Sequence, residues 1–489
     1  MSSRSISTFA CLLLLSFAGA VQAQISSFKH VVIVIQENRS TDNMFYALCQ
    51  PPYGTFASCS TTPTGSQYNI KTSDWLDATS PTGVTQPTPV DLVEPYDLGH
   101  LHHSFVQQCD KDASGACRMD GAASVVCDPP DCSGYTHAQY RYVDNSTGSL
   151  NPYLDLATQY GFANYMFQTN QGPSYPAHQY LFGATTADTA DHDHAGTFIS
   201  NNGNGPTGNS GCLTPNDGTI LVQLIDANGV ENPKNRIYPC FDHTTLVDLL
   251  EPAGVTWRYY TPGAKSIFTP PTSISHLCQQ NRGQCAGPDW VANVDTTSAD
   301  VLTDIANCNL KQVNWVVPIG DNSDHAQSNK GGGPSWVASI VNAIGNSYTN
   351  SGQKCDYWGA NVKGDETAIV VLWDDWGGWY DHEAPKILKY PQGGSQLGFR
   401  VPALVISAYT PVHFVSNNRF DFGSVIRFVE QNYGIAEGAL TFADARAVTD
   451  MKTFFKLTQV PRVFVTIASP KDADFFVHDP SPQTDPDDY

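Results

Sequence analysis

The sequence has 489 residues, of which 47 are acidic and 26 are basic, so the formal net charge is −21 with neutral histidines. Such a charge argues against nucleic acid or an anionic membrane as a partner bound by bulk electrostatics, since that binding needs clustered cations. Apolar residues make up 41% and charged residues 15%. This composition is typical of a large globular protein and excludes a disordered chain or a coiled coil.

The first 23 residues have the features of a cleaved secretory signal peptide. Arg4 precedes an apolar run over residues 9–17, and Val21 and Ala23 are small residues at the positions that a signal peptidase reads. This run is shorter than the roughly 20 residues that cross a bilayer, and no later segment reaches that length. The sequence therefore predicts a secreted or periplasmic protein without a transmembrane anchor.

The cysteines agree with export. Of the 13 cysteines, Cys11 lies in the predicted signal peptide, and an even number remains, which favours disulfides in an exported chain. A zinc cluster is the alternative, but the sequence has no CxxC pair and no cysteine beside a histidine at ligand spacing. The short intervals predict three local disulfides, while the other pairings stay open: Cys49–Cys59, Cys127–Cys132 and Cys278–Cys285.

Apolar runs and amphipathic patterns alternate along the chain. Six short apolar runs predict buried strands, at Val31 to Ile35, Val255 to Tyr260, Val313 to Val317, Thr367 to Trp373, Ala403 to Ser407 and Val463 to Ile467. Three patterns predict helices, at Thr244 to Leu250, Ser335 to Ile344 and Ser424 to Gln431. This alternation is typical of an α/β fold in which helices cover both faces of a mostly parallel sheet.

We expect one domain over residues 24–470. The segments 61–89, rich in Thr, Ser, Pro and Gly, and 201–216, rich in Gly and Asn, are predicted to be long surface loops, because strand-like runs continue on either side. Residues 471–489 are acidic and predict a disordered tail.

Two pairs of oxygen-bearing side chains come after predicted strands. Glu37 and Asn38 follow the first strand, and Asp374 and Asp375 follow the fourth. Ligands of an open parallel sheet bind beyond the carboxyl ends of its strands. Two adjacent buried carboxylates cannot both ionise without compensation, which a divalent cation held by oxygen ligands supplies. The alternative is that Asp374 caps the following turn and Asp375 is solvated.

A third candidate element contains Ser174, which follows Gly-Pro and precedes residues compatible with a helix. This pattern places Ser174 at a helix N-terminus, where free N–H groups and the helix dipole favour an anion. Ser174 then serves either as a simple N-cap or as a nucleophile that attacks phosphorus beside the cation. His100, His325 and His382 are further candidate donors, although each alone fits a surface or capped histidine better.

These motifs together resemble the bacterial phospholipase C and acid phosphatase family. The resemblance extends over about residues 27–462. The segments that carry it are Glu37-Asn38-Arg39-Ser40-Thr41-Asp42-Asn43, Tyr96-Asp97-Leu98-Gly99-His100, Gly172-Pro173-Ser174, Ser323-Asp324-His325, Trp373-Asp374-Asp375-Trp376-Gly377-Gly378-Trp379-Tyr380-Asp381-His382 and Gly398-Phe399-Arg400-Val401-Pro402.

The resemblance implies an alkaline-phosphatase-like core and metal-dependent hydrolysis of phosphoric esters through a hydroxyl nucleophile. The roles that it implies fall on eight residues: metal ligands at Glu37, Asn38, Asp374 and Asp375, a nucleophile that also contacts the metal at Ser174, and donors to the phosphoryl oxygens or leaving group at His100, His325 and His382.

Three positions depart from the phospholipase branch of that family. Phospholipase-type members tend to have Asp-Glu before Trp-Gly-Gly, a threonine nucleophile and a histidine near the end of the chain, where this sequence has Asp375, Ser174 and Phe422. These departures favour a phosphatase-like or broad phosphoesterase over a strict phospholipase.

Three kinds of function therefore stay open: a secreted phosphoesterase, a phospholipase C that acts on lipid head groups, and a non-catalytic exported protein that binds cations or glycans. A phospholipase needs an apolar rim, which Trp376, Trp379 and Tyr380 would supply unless they belong to the core. Oxygen-rich ligands suit Ca²⁺, Mg²⁺ or Mn²⁺, and the nearby histidines leave Zn²⁺ and iron open. The sequence does not determine the oligomeric state.

Overall fold

The computed structural model describes residues 28–128, 132, 134–201, 210–216, 218, 221–362, 364–390 and 393–486. The predicted signal peptide and residues 202–209 of the second long loop lie outside this range. Among the described residues, no helix combines the length and apolar character needed to cross a membrane.

An eight-stranded sheet forms the centre of the molecule. Its strands are β1 (His30–Gln36), β2 (Gly161–Phe167), β3 (Trp257–Tyr260), β4 (Val294–Asp295), β5 (Val313–Val316), β6 (Thr367–Trp373), β7 (Ala403–Ile406) and β8 (Phe414–Asp421). Their spatial order is β4-β3-β5-β1-β6-β7-β2-β8. All neighbours pair in parallel except β7, which is antiparallel to both β6 and β2.

Helices cover both faces of this sheet. Every residue of β1 and β6 is buried, and because successive side chains point to opposite faces, both faces of the two central strands are covered. The helices are α1 (Thr41–Met44), α2 (His102–Cys109), α3 (Asn151–Gln159), α4 (Ser174–Gly183), α5 (Ala190–His194), α6 (Leu246–Leu250), α7 (Ser275–Cys278), α8 (Pro288–Asn293), α9 (Asp300–Ala306), α10 (Gly333–Gly345), α11 (Ser347–Asn350), α12 (Phe422–Asn432), α13 (Ala443–Arg446) and α14 (Ala473–Val477). This arrangement confirms the predicted α/β class.

The segments that connect the main elements contain short strands, which pair with one another in small sheets outside the central sheet. They are Trp75–Leu76, Val84–Thr85, Thr88–Val90, Asp97–Leu98, Cys127–Asp128, Arg141–Val143, Phe198–Ile199, Val222–Ile225, Glu231–Ile237, Gln280–Asn281, Gln284–Cys285, Ile387–Tyr390 and Gly393–Gln396. Three of them fall wholly or partly within the predicted loop 61–89, where the buried Trp75 ring stacks on Tyr380 at 4.7 Å between centroids. This contact anchors the loop to the body of the protein.

Five of the six predicted strands and all three predicted helices occur in the structure. The exception is Val463 to Ile467, which has no strand partner among the described residues. Ile467 and the partly buried Phe464 pack inward, while 82% of Val463 is exposed. The apolar run therefore reflects an irregular segment that packs on only one side. Three sheet strands, β2, β4 and β8, were not predicted.

The C-terminal tail differs from the prediction. Residues 471–486 are ordered: Phe476 of α14 is buried and packs against Trp336 of α10, and Ser323 donates a hydrogen bond to the Pro486 carbonyl. The prediction rested on the acidic composition of the segment and overlooked its two aromatic residues, Phe475 and Phe476.

Disulfides join the twelve cysteines outside the predicted signal peptide. The three predicted local pairs are present, Cys49–Cys59, Cys127–Cys132 and Cys278–Cys285. The pairs that the sequence left open are Cys109–Cys117, Cys212–Cys240 and Cys308–Cys355. Most of these bonds stabilise local loops, whereas Cys308–Cys355 spans 47 residues.

The span of each disulfide predicts its effect on stability. Loop-closure entropy gives about 4 kcal/mol for removing Cys308–Cys355 as a Ser/Ser double variant and about 2 kcal/mol for removing Cys127–Cys132. Urea unfolding of the two double variants, compared with the parent protein, measures both losses. A larger loss for the short loop would contradict the entropic account.

Candidate active site

The two neighbouring central strands bring the predicted acidic residues together. Glu37 and Asn38 directly follow β1, and Asp374 and Asp375 directly follow β6, which pairs in parallel with β1 along its length. Asp374 Oδ1 accepts hydrogen bonds from the backbone N–H of Asn38 at 3.2 Å and of Asp375 at 2.7 Å. All four side chains are fully buried.

Ser174 reaches the same cluster from another strand. It is the first residue of α4, which follows β2, and Pro173 occupies the N-cap position. The Ser174 hydroxyl donates toward Asp375 Oδ2 at 3.1 Å and lies 3.3 Å from Asn38 Oδ1. Its side chain does not cap the helix, so the N-cap interpretation of Ser174 is wrong.

Two glycines allow the chain to fold closely around these residues. Gly377 has φ +60°, and a Cβ atom there would lie 2.2 Å from the Asn38 carbonyl oxygen. Gly378 has φ +72°, and its Cβ would lie 2.5 Å from Leu98 Cβ. Since only glycine tolerates both the left-handed backbone and the close approach, these two residues let the β6 loop pack against the segments that carry Asn38 and His100.

The sequence analysis missed His178, which lies one helical turn after Ser174 on α4. His178 Nε2 is 3.2 Å from Glu37 Oε1 and 3.7 Å from Asp374 Oδ2. The sequence feature that could have identified His178 is its i, i+4 spacing from Ser174, which puts both side chains on the same helix face. Burial lowers the pKa of His178 to about 3, so the ring is neutral at ordinary pH.

The cluster concentrates carboxyl groups in the interior of the protein. Burial raises the pKa of Asp374 above its ordinary value. Burial and then the negative charge of Asp374 raise the pKa of Asp375 still further, against an opposing effect of His100 and His325. Asp374 Oδ2 is buried and accepts no hydrogen bond from the described residues. An unsatisfied buried carboxylate oxygen beside a second carboxylate and an imidazole fits a cation site.

His100 and His325 lie beside Asp375 in a neighbouring cluster. Their rings are 5.6 Å apart between centroids, and Asp97 Oδ2 lies 3.8 Å from a ring nitrogen of each. His100 Nε2 is 3.3 Å from the Asn38 amide nitrogen, and its Nδ1 is 2.8 Å from the Leu98 carbonyl. Asp97, to which the sequence analysis gave no role, thus joins the two predicted histidines.

The structure places His382 elsewhere. Its Nδ1 is 2.6 Å from Asp42 Oδ2, and its Nε2 is 3.0 Å from the side-chain amide of Asn69. Arg400 bridges Asp42 and the neighbouring Asp381 in this second cluster, in which these three side chains are fully buried and His382 is partly buried. The structure therefore does not bring His382 into the cluster around Ser174, and its ring nitrogens contact Asp42 and Asn69 instead.

Arg39 fixes the loop that carries His325. Its Nε donates to the Asp324 carbonyl at 2.7 Å, while an Nη nitrogen is 2.7 Å from Glu94 Oε1. Asp324 Oδ2 accepts hydrogen bonds from the Tyr153 hydroxyl at 2.7 Å and from Trp373 Nε1 at 3.1 Å. These buried contacts hold the backbone next to His325 and so fix the position of His325.

Three groups of described residues have the composition and spacing to hold a cation. In each, one ligand atom per residue lies within 4.8 Å of the others: Glu37 with His178 and Asp374, Asp97 with His100 and His325, and Asp42 with Asp381 and His382. The third group already has Arg400 as its cation, so the first two are the candidates for metal binding.

Comparison with known proteins identifies the enzyme class. Residues 28–436 match the profile of the Phosphoesterase family. The chain belongs to the phosphoesterase family. This membership confirms the resemblance that the motifs carried, and with it the predicted class of enzyme, a hydrolase of phosphoric esters.

Curated relatives of the chain are bacterial phospholipases C at low identity. Phospholipase C A of Mycobacterium tuberculosis is 25% identical over 477 residues, which cover 91% of this chain and 80% of that protein. The non-hemolytic phospholipase C of Pseudomonas aeruginosa is 28% identical over 262 residues, which cover 47% of this chain and 34% of that protein. The second alignment thus spans about a third of the relative's length.

Among solved structures, a protein in the alkaline phosphatase superfamily from Vibrio parahaemolyticus is 12% identical to this chain. The match covers 60% of this chain and 63% of that chain, with a TM-score of 0.30.

Asp324 provides a test of the buried network behind the site. Burial raises the pKa of Asp324 to about 7. A carboxyl group with a raised pKa in the folded state stabilises the fold while protonated, and this contribution is lost as the pH rises toward 7. We predict that the free energy of unfolding of Asp324→Asn, relative to that of the parent, rises by on the order of a few kcal/mol when the pH is raised from 4.5 to 8. Urea unfolding at both pH values measures this, and a difference independent of pH would contradict it.

Proposed function

We propose that the protein is an exported, cation-dependent hydrolase of phosphoric esters, with acid-phosphatase-like or broad specificity and Ser174 as its nucleophile. Residues 1–23 act as the signal peptide and residues 24–470 as a single catalytic domain. The observation that carries the proposal is the Ser174 hydroxyl at a helix N-terminus, 3.1 Å from Asp375 Oδ2 and 3.3 Å from Asn38 Oδ1.

A divalent cation fits the unsatisfied carboxylate oxygen of Asp374. We assign its ligands to Glu37, Asn38, Ser174, Asp374 and Asp375, whose oxygen atoms suit such an ion. The cation would neutralise the buried carboxylates, lower the pKa of the serine hydroxyl and attract the phosphoryl group.

The protein's own residues account for the chemical steps. Ser174 Oγ gives its proton to Asp375 Oδ2, which lies 3.1 Å away, and the serine oxygen then attacks phosphorus. The new O–P bond forms as the bond from phosphorus to the leaving oxygen breaks, and water then hydrolyses the phosphoserine. Free N–H groups in the first turn of α4 stabilise the anionic phosphoryl oxygens. His100 and His325 donate hydrogen bonds to those oxygens or to the leaving group.

Phospholipase C activity is the second candidate, and the names of the relatives favour it. The aromatic residues that would form an apolar rim for a lipid do not support it: Trp376, Trp379 and Tyr380 are all fully buried. Trp376 packs between Phe105 and Phe399, and Tyr380 packs on Trp75. We therefore assign these aromatic residues to the core and favour compact phosphoesters as substrates.

A panel of substrates separates these candidates. We expect the purified mature protein to hydrolyse phosphomonoesters faster than phosphatidylcholine vesicles, and to lose activity with a chelator. Faster release of phosphocholine from the vesicles would assign the protein to the phospholipases. Metal binding without turnover of any phosphoester would favour the non-catalytic binding protein.

The Ser174→Ala variant tests the nucleophile. Removing the attacking oxygen should lower kcat by several orders of magnitude while leaving the fold in place. Ser339→Ala is a matched control, because Ser339 is also a buried helical serine, whose hydroxyl donates to the Trp336 carbonyl outside the site. Activity retained by Ser174→Ala at saturating metal and substrate would remove the covalent route and favour direct attack by water.

The Asp374→Asn variant tests the cation separately. Losing a carboxylate ligand should weaken metal binding, so excess metal should partly restore the activity of this variant. No concentration of metal should restore Ser174→Ala. Initial rates over a range of metal concentrations compare the two variants, and rescue of Ser174→Ala would contradict its role as the nucleophile.

A further inference from the structure

His178 lies inside the proposed site, although none of the family motifs above assigns it a role. It follows Ser174 by one turn of α4, and its side chain is fully buried. The imidazole packs against the ring of Phe268 in a T-shaped arrangement, with 5.1 Å between centroids and an interplanar angle of 83°. This packing restricts the orientation of the His178 ring.

His178 Nε2 completes a compact set of donors. It lies 3.2 Å from Glu37 Oε1 and 3.7 Å from Asp374 Oδ2, and all three side chains are fully buried. One ligand atom from each residue lies within 4.8 Å of the other two. Two carboxylates and an imidazole around a point of this size match the ligand types and separations of a metal centre.

The other ring nitrogen indicates which tautomer is present. The Tyr259 hydroxyl donates its single proton to the Phe268 carbonyl at 3.0 Å, so its oxygen faces His178 Nδ1, 3.4 Å away, as an acceptor. With the proton on Nδ1, the lone pair of Nε2 faces Glu37 and Asp374. A lone pair directed at two carboxylates is favourable when a cation lies between them, and a hydrogen bond that fixes the distal nitrogen is typical of ligating histidines.

We propose that His178 is a direct ligand of the cation through Nε2, and that Tyr259 orients its ring. This inference rests on the proposed cation-dependent function and adds a nitrogen ligand to its oxygen set. Imidazole suits Zn²⁺ and iron better than the hard cations Ca²⁺ and Mg²⁺. The bound cation is accordingly a transition metal.

The competing role for His178 is purely positional. In that case Nε2 carries the proton and donates it to Glu37, and the imidazole never contacts the metal. A glutamine at position 178 can donate a similar hydrogen bond, but its amide does not replace an imidazole nitrogen as a ligand. Direct detection of the metal–nitrogen contact separates the two roles.

The experiment uses pulsed electron paramagnetic resonance on the mature protein loaded with Mn²⁺, with and without ¹⁵N-labelled histidine. We expect a directly coordinated histidine nitrogen in the parent protein and its loss in His178→Gln. His243→Gln is the matched control, because His243 is also buried but lies near Gly183, at the other end of α4. In His243→Gln the coupling should persist.

Binding titrations of the metal-free protein give an independent readout. We expect His178→Gln to lower the affinity for Zn²⁺ relative to that for Ca²⁺ by at least about 10-fold. Bound Mn²⁺ without nitrogen coupling in the parent, or coupling that survives in His178→Gln, would overturn the inference while leaving the proposed function intact. No Mn²⁺ binding at all would instead remove the proposed cation. If His178→Gln does not fold, the absence of nitrogen coupling in the labelled parent protein still overturns the inference.

Discussion

Repulsion between Asp374 and Asp375, two adjacent carboxylates buried at the end of β6, is the constraint on which the site depends. Glu37 adds a third carboxyl group from the neighbouring strand, and all three are fully buried. Backbone N–H groups stabilise Asp374 Oδ1 and Asp375 Oδ1, but such hydrogen bonds do not neutralise several charges in a medium of low dielectric constant. The fold therefore creates a strong preference for a cation, and the proposed chemistry uses that preference to activate Ser174 and attract phosphate.

Two buried arginines hold the loops around the Asp374 and Asp375 carboxylates without pairing with either of them. Arg39 joins the end of β1 to Glu94 and to the backbone beside His325. Arg400 joins Asp42 and Asp381 in the second cluster. Each arginine pairs with carboxylates of its own, so neither neutralises Asp374 and Asp375. The loops gain rigidity from these networks, and Asp374 and Asp375 remain available to the proposed cation.

The sequence was sufficient to predict the parts of the fold in which a local pattern alone determines the structure. The strands β1 and β6 are continuous apolar runs because both of their faces are buried, and the polar residues that follow them necessarily share one edge of the sheet. Tertiary context decided the rest. The run at Val463 resembles a strand but has no partner, and His178 has no distinctive sequence context except its spacing from Ser174. His382 adjoins the acidic motif along the chain, yet its ring bonds to Asp42, a partner that spacing alone cannot identify.

The stereochemical course at phosphorus tests the central claim, a covalent phosphoserine at Ser174, most directly. A phosphomonoester made chiral with three oxygen isotopes is incubated with the mature protein and an acceptor alcohol, and the configuration of the transferred phosphoryl group is determined. Attack by Ser174 followed by attack of the alcohol gives two inversions, so the account predicts net retention. Net inversion would show a single direct displacement and would contradict the covalent role of Ser174.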